Sequence, residues 1–491
     1  MNWIDQAVAY FSPATGFRRA QARAALRVME QFSYDAAKTG RRTEGWIATG
    51  NSANAEIAGG LSRVRERSRD LVRNNPYAAK AVAEIVNSAI GTGISAQAQS
   101  DQAELNAGID EAWSEWTSQC DADGQLGFPG LESLIARTVV ESGEALVRFR
   151  SRLPNDGIRI PVQLQVLEPD WLDQSKTVSS ATGYAIQGVQ FNLWGQRTGY
   201  WLFGQHPGEV TTTSVRGSLI SALVPASEIL HVYRKDRPGQ VRGMPWLATV
   251  ALRLRDLDLY EDAELMRKKI EACVVGFITQ PEAGAGPALG ATSIDPTTGQ
   301  RVEAFEPGMT KYLKPGENVV FNNPGAAGGY RDYKVTQLQA AAVGAGVTYE
   351  QLSGDLSQVN YSSFRAGHIP FQTMIECFRW VLLEPMLLSP VWRRVIDVGV
   401  TAGVISKRQY GVKWTAPKFY SADPRKDSES VLLDVRQGRQ TLFDAIAEQG
   451  YDPVKQLEEI AAINKKLDDL GIILDCDPRR VTQTGLEQRK E

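Results

Sequence analysis

Residues Thr348–Pro385 read TYEQLSGDLSQVNYSSFRAGHIPFQTMIECFRWVLLEP, and the fold of the chain turns on how this stretch is understood. It opens with a turn-forming group, Leu352-Ser353-Gly354-Asp355, in which Gly tolerates positive φ and Asp and Ser bond back to their own backbone. Asn360-Tyr361-Ser362-Ser363 follows as a helix entrance, because Asn and Ser oxygens satisfy the free amides of a first turn. Phe371, Met374, Ile375, Phe378, Val381 and Leu382 then recur at spacings of three and four, a broad apolar stripe. Gly367 and Pro370 sit inside the first turns of that helix. Pro370 has no N–H and its ring crowds the carbonyl of Ala366, so a helix kink is expected at Gly367 and Pro370. A turn, a capped entrance, a kink and a long apolar helix suit a wall that curves.

The surrounding chain has 491 residues, more than one hydrophobic core usually serves, so several lobes are expected. Hydrophobic content of 43% and charged content of 23% are those of an ordinary folded chain. The net charge of −3 argues against tight, sequence-specific phosphate binding, which calls for a basic surface. Cys120, Cys273, Cys377 and Cys476 are widely spaced, and only His206, His231 and His368 accompany them. No zinc site or other metal centre is expected, and the cysteines read as free thiols of a reducing cytoplasm. No run approaches the ~18 apolar residues of a membrane span, and MNWIDQAVAYFSPATGFRRAQAR lacks the basic start and apolar block of an export signal.

In chain order, Arg18, Arg19, Arg23 and Arg27 lie among alanines in a basic N-terminal helix, with Arg41-Arg42 before Trp46. Leu61–Ile90 is helical and broken at Pro76, whose missing donor is harmless at a first turn. Glu104–Trp116 and Gly130–Glu141 are further helices. Short strand-like runs follow at Ala145–Phe149, Gln163–Val166, Gly188–Asn192, Gly199–Phe203 and Ile229–Tyr233, making an α+β lobe with a small mixed or antiparallel sheet. A helix over Trp246–Ile278 carries two offset stripes: Leu247, Val250, Leu254 and Leu257, then Leu259, Ala263, Met266 and Ile270. Two stripes suit a helix gripped from two sides. Gln280–Gln300 is a protruding loop rich in Gly and Pro. Its Gly284, Gly286 and Gly290 miss the dinucleotide spacing, and no GKS or GKT occurs, so no nucleotide cofactor is expected. Tyr333–Gly344 is helical, and helices at 428–437, 442–448 and 453–470 end the chain.

No GxSxG, HExxH or CxxC is present. Asp355 reads as a turn or cap residue, His231 as structural, and His368 as a base without a Ser or Cys partner. No catalytic residue is assigned, and the chain is not read as an enzyme.

Several strings occur in the order of a known family. They are Arg67-Ser68-Arg69-Asp70-Leu71 with Arg73-Asn74-Asn75-Pro76 and Gly91-Thr92-Gly93-Ile94, then Leu167-Glu168-Pro169-Asp170-Trp171-Leu172 and Gly199-Tyr200-Trp201. His231-Val232-Tyr233-Arg234 with Pro238-Gly239-Gln240-Val241-Arg242-Gly243-Met244-Pro245-Trp246 comes next, then Gly346–Asp355 with Asn360–Ser363 and Arg365. Trp414, Pro417, Asp423-Pro424 and Lys426, then Gly438-Arg439-Gln440-Thr441-Leu442, close the series. Over about residues 60 to 460 the chain resembles lambda-type bacteriophage portal proteins.

The resemblance implies a homo-oligomeric ring, usually of twelve subunits, at one capsid vertex. Such a ring passes double-stranded DNA without sequence preference, docks the terminase large subunit, meets the major capsid and scaffold proteins, and later joins head-completion or neck adaptor proteins. It also implies an α+β portal fold: an N-terminal arm (1–59), an α+β wing (60–245), a long stem helix (246–278), a small α/β clip (279–332) and a second stem helix (333–354). A tunnel loop (355–361), a kinked tunnel helix returning to the wing (362–419) and a helical crown with its tail (420–491) complete it. Asp355, Ser357, Gln358, Asn360 and Tyr361 would face the channel. The alternative is a capsid scaffold or adaptor that binds protein only; a nuclease fused to a capsid protein is a third reading.

Overall fold

The computed structural model describes residues 10–15, 17–19, 21–22, 41, 44–209, 220–272, 276–279, 292–294, 301–303, 318–321, 329–357, 359–419, 424–451, 453–474, 477 and 479. Contacts divide the chain into Met1–Ser52 and Ala53–Glu491. In the first unit the described residues between 10 and 22 are mostly helical, and the rings of Tyr10 and Phe11 meet edge-on. Arg23 and Arg27 of the expected basic helix lie outside the described residues.

In the second unit, local chemistry sets the helix ends. Helix α1 (Leu61–Asn74) stops at Asn75, whose side chain caps α2 (Pro76–Ile90) by accepting from the Ala78 N–H at 2.9 Å. Pro76 occupies the first position of α2, as expected. Strand β1 (Ser95–Ala98), α3 (Ala103–Gln119) and α4 (Phe128–Ser142) follow.

The sheet region is larger than the sequence suggested. Strands β2 (Glu144–Ser151), β3 (Val162–Leu167) and β9 (Ile229–Tyr233) form a sheet of order β3-β2-β9. Strands β4 (Val178–Ser180), β5 (Gly183–Ile186), β6 (Val189–Asn192), β7 (Arg197–Leu202) and β8 (Ala222–Pro225) form a meander in chain order. Both sheets are antiparallel throughout. Alternation along β2 builds two cores at once: Ala145, Val147 and Phe149 join the helices, while Leu146 joins the core shared with the meander. Strands β4, β5 and β8, all short, escaped the sequence reading.

The expected stem helix over Trp246–Ile278 is shorter. Trp246–Thr249 is a 3₁₀ turn, α5 spans Ala251–Ala272, and Gly276–Thr279 is a strand, β10. At 1.5 Å per residue α5 is about 33 Å long. Phe277 and Ile278 are strand formers that pair with Val320 and Val319 of β13 (Asn318–Phe321), which ends the helical reading. Between them β11 (Thr292–Ile294) pairs with β12 (Arg301–Glu303), so the expected clip segment consists, among the described residues, of two antiparallel ladders.

Helix α6 (Tyr330–Ala345) packs against α5 through a Lys334–Glu261 ion pair at 2.8 Å and a Tyr260–Tyr333 ring contact at 4.6 Å. Short α7 (Tyr349–Ser353) leads to α8 (Tyr361–Cys377), which continues through a π-helical segment, Phe378–Leu388, into α9 (Ser389–Thr401). Strand β14 (Val412–Thr415) then pairs antiparallel with β1, and α10 (Pro424–Arg436), α11 (Leu442–Glu448) and α12 (Pro453–Leu470) finish the chain. Residues 405–409 are bends and irregular backbone. Aromatic packing joins early and late elements: Trp113 of α3 meets Trp392 of α9 at 4.9 Å, and Trp392 meets Trp414 of β14 at 6.1 Å.

Candidate functional site

The loop between α7 and α8 is built on its own hydrogen bonds. Thr348 caps α7 reciprocally: its Oγ1 accepts from the Gln351 N–H at 3.2 Å, and Gln351 Oε1 accepts from the Thr348 N–H at 2.9 Å. Gly354 ends α7 at φ +71°. Asp355 then folds the loop: Oδ1 accepts from the Ser357 N–H at 3.0 Å, and Oδ2 accepts from the Tyr349 hydroxyl at 3.2 Å. Hydrogen bonds from Ser357 hold the Asp355 carboxyl below its ordinary range. Asp355 is therefore a turn residue with both carboxylate oxygens hydrogen-bonded, as read from sequence. Leu356, Ser357 and Asn360 are exposed, and the Asn360 carbonyl accepts from the Phe364 N–H at 3.0 Å as α8 begins. Gln358 and the side chain of Tyr361 lie outside the described residues.

The expected kink positions Gly367 and Pro370 both lie within α8. Helix α8 runs through both, and both are solvent-exposed, as is Ala366, so the carbonyl that Pro370 leaves unpaired can bond to water. The backbone leaves α geometry further on, at Phe378–Leu388, where the Ser389 N–H reaches back five residues to the Glu384 carbonyl. Pro385 lies inside this wider turn. Of the expected stripe, Phe371, Ile375, Phe378 and Leu382 are buried, whereas Val381 is 71% exposed.

Arg379 anchors the start of the π segment. Its guanidinium is buried and donates to the carbonyls of Ala89 at 2.7 Å, Ser88 at 2.7 Å and Pro417 at 3.1 Å, and to Glu376 Oε1 at 2.8 Å. A cation thus caps the C-terminus of α2 and ties it to the residues after β14. Nothing in the local pattern around Arg379 marks this contact, which spans 290 residues.

A second unforeseen constellation lies beneath α1. Glu144, at the start of β2, is fully buried. Its Oε1 accepts from Arg65 Nη2 at 2.7 Å and from Arg242 Nη2 at 2.5 Å, and its Oε2 accepts from His231 Nε2 at 2.8 Å and the Gly243 N–H at 2.9 Å. Burial alone would raise the Glu144 carboxyl; Arg242, His231 and Arg65 outweigh it and hold it well below the carboxylate range. Burial pushes His231 down to about 4. A neutral His231 must then carry its proton on Nε2, facing Glu144, and accept on Nδ1 from Arg197 Nη1 at 2.9 Å. Backbone crowding fixes the cluster further: a Cβ on Gly143 would lie 2.4 Å from the Met244 carbonyl carbon. Glu144 is paired with Arg65 and Arg242, and both nitrogens of His231 are engaged, so the hub holds the α1–β2–β9 junction.

Two further groups read from the sequence, Cys120 and His368, are held by burial and ring packing. Burial pushes the Cys120 thiol up to about 12, and His368 stacks on Phe364 at 4.1 Å, with burial lowering it. Among the described residues one group could offer metal ligands, Glu168, Asp170 and His206. Arg69 already lies 2.5 Å from Asp170 and 3.1 Å from Glu168, so a cation is in place. No described helix is long and apolar enough to cross a membrane.

Helix α5 carries the remaining feature. Leu254 and Leu257 are buried at 1% exposure each, against Leu259 at 52% and Met266 at 57%. At about 100° per residue, Leu252, Leu259, Ala263 and Met266 lie on the side of α5 directly opposite Leu254 and Leu257, and all of these outward residues are exposed. Of the second stripe read from the sequence, Leu259, Ala263 and Met266 stand exposed on this outer side, and the side chain of Ile270 lies outside the described residues.

A family model described as phage portal protein, lambda family, matches residues 39–379. The chain belongs to the lambda family of phage portal proteins. Among relatives, the probable portal protein of Halomonas phage phiHAP-1 is 24% identical over 461 residues, covering 90% of this chain and 88% of its own length. The portal protein of Escherichia phage N15 and portal protein B of Escherichia phage lambda are each 24% identical and match over 67% of both chains. The solved neck of a native gene transfer agent particle, computed with C12 symmetry, aligns at a TM-score of 0.44 and 15% identity over 84% of this chain and 97% of that one. The span matched by the portal family contains the Glu144 hub, α5, the Asp355 loop and Arg379, and ends as the π segment begins.

Proposed function

We propose that this protein is the portal subunit of a phage-type particle, closing into a dodecameric ring at one capsid vertex and forming the channel for double-stranded DNA in packaging and ejection. The observation that carries this reading is the uncovered stripe of α5, Leu252, Leu259, Ala263 and Met266. A helix apolar on two opposite sides needs a second covering surface, and neighbours in a ring of identical subunits supply one. Residues 60–245 are the wing, α5 and α6 the stem, 279–332 the clip that meets the terminase large subunit and head-completion proteins, and 420–491 the crown. Residues 355–361 are the tunnel loop, facing DNA through Asp355, Ser357, Gln358, Asn360 and Tyr361. That loop contains no Lys, Arg or His, which suits a conduit: without phosphate-neutralising cations the duplex is not held in place. No step of this function requires catalysis or a cofactor.

The mass of the purified assembly, with imaging for an axial hole, tests the reading. Wild type should give a closed ring wide enough for a duplex; a persistent monomer, or an assembly without a hole, overturns it and favours a protein-only adaptor. Leu259→Glu with Met266→Glu should leave a folded chain but raise the concentration needed for assembly by about a hundredfold or more, since each buried apolar side chain contributes roughly 1.5–3 kcal/mol. Sedimentation measures this directly. Ser357→Lys with Asn360→Lys should leave the ring intact and slow packaging in a DNA-protection assay, because each added cation engages passing phosphates.

A further inference from the structure

Strand β2 carries a row of arginines. Leu146 is buried in the core shared with the meander, and the same face of the strand continues with Arg148, Arg150 and, one residue past its end, Arg152, all three part-exposed. The Arg152 N–H donates to the Pro161 carbonyl at 3.0 Å, so the β2–β3 register holds that far. Alternate side chains of a strand repeat every ~6.7 Å, which sets three guanidinium groups in file.

Their charge is left largely uncompensated. Arg148 lies 3.7 Å from Glu228 Oε2, beyond hydrogen-bond reach, and its Nε has no partner among the described residues. Arg150 makes no side-chain hydrogen bond or close ion pair among the described residues. Burial, then the Arg148 and Arg152 charges, press its guanidinium below the ordinary range, and Glu228 does not offset them. Arg152 is held by neutral groups: Nε donates to Gln163 Oε1 at 2.6 Å and Nη2 to the Ala122 carbonyl at 3.2 Å. These bonds fix its direction and leave its charge. Three like charges at this pitch repel, a local conflict of the kind that folded chains keep at functional positions.

The neighbours of the row select the kind of anion. Arg148 is flanked by Gln165 on β3 and Ile229 on β9, and Arg150 by Gln163 on β3. The positive charge is therefore one strand wide. A duplex is gripped by cations spread over a broad basic face, and this chain carries a net charge of −3. An extended peptide presents alternate side chains on one face at the same ~6.7 Å repeat. Carboxylates at every second position would meet the guanidinium groups in register, each accepting parallel hydrogen bonds.

We propose that Arg148, Arg150 and Arg152 form a docking strip for an extended segment of a partner protein that carries Asp or Glu at alternate positions. The strip lies within one subunit and does not depend on ring closure. The test titrates the full-length chain against a fluorescent peptide of alternating Glu and Thr, the same peptide with Gln for Glu, and a DNA duplex of equal charge, read by anisotropy at low salt. The Glu peptide should bind and the Gln peptide should not. Arg150→Gln should weaken binding about tenfold, and Arg148→Gln with Arg150→Gln about a hundredfold. Arg159→Gln, which removes an exposed arginine paired with Glu115 at 2.8 Å outside the row, should leave binding unchanged. Arg150→Gln should melt no lower than wild type, because it relieves repulsion, and this separates lost docking from a lost fold. No binding of the Glu peptide, or binding that the row substitutions leave intact, overturns the proposal. Tighter binding of the duplex, lost with Arg150→Gln, overturns it in favour of nucleic acid.

Discussion

Glu144→Gln should destabilise the chain by about 3–5 kcal/mol and deplete soluble protein, although it leaves the number of heavy atoms unchanged. Arg65 and Arg242, both at 0% exposure, would keep their charges while losing the carboxylate that each touches within 2.7 Å. The nearest remaining anion, Asp170, stands 3.7 Å from Arg65 and already serves Arg69. The amide would also present hydrogens where Glu144 now only accepts. Adding Arg65→Met should recover part of the loss, because one uncompensated cation is then removed; the two substitutions act on one network and will not add. Denaturant unfolding of both variants decides the matter. A Glu144→Gln midpoint within experimental scatter of wild type would show that the hub does not hold the junction between α1, β2 and β9.

The hub also marks where sequence reading stopped. Helices α1, α2, α3 and α4 were legible because local signals specify them: Pro76 after Asn75, and Gly91 and Gly143 at helix ends. Both stripes of α5 were legible for the same reason, as was the Asp355 turn, whose partners lie within a few residues. Glu144, Arg65, Arg242 and Arg379 were not. Arg242 lies in a string quoted for the family resemblance, but nothing in it points to Glu144, and the partners of these residues lie 79 to 290 residues away. The end of the stem helix was misplaced because Phe277 and Ile278 continue a helical apolar period as readily as they begin a strand, and only pairing with β13 decides. The π-helical segment around Pro385 was not read, because nothing local separates Pro385 from Pro370: both remove a donor and both are exposed.

Glu132→Gln should remove a loss of stability that wild type suffers as pH rises. Glu132 lies at 0% exposure on α4, where Oε2 accepts from the Ile94 N–H at 3.0 Å and Oε1 has no partner among the described residues. No cation approaches it, so burial raises its pKa from 4.5 to about 8, against a smaller lowering by the Ile94 N–H. The folded chain therefore keeps a proton that the unfolded chain gives up between these values. Stability from this group is greatest below 4.5 and falls as pH rises, until the folded carboxyl also ionises near 8. At about 1.36 kcal/mol per unit the ceiling is roughly 5 kcal/mol, and relaxation around a newly charged Glu132 will lower it. Gln keeps the acceptor for Ile94 and cannot ionise. At pH 9 the variant should melt above wild type, and at pH 5 the two should converge or wild type should lead. Equal slopes of melting temperature against pH in both proteins would mean that Glu132 is already ionised in the folded core, and that a counter-charge or water reaches Oε1.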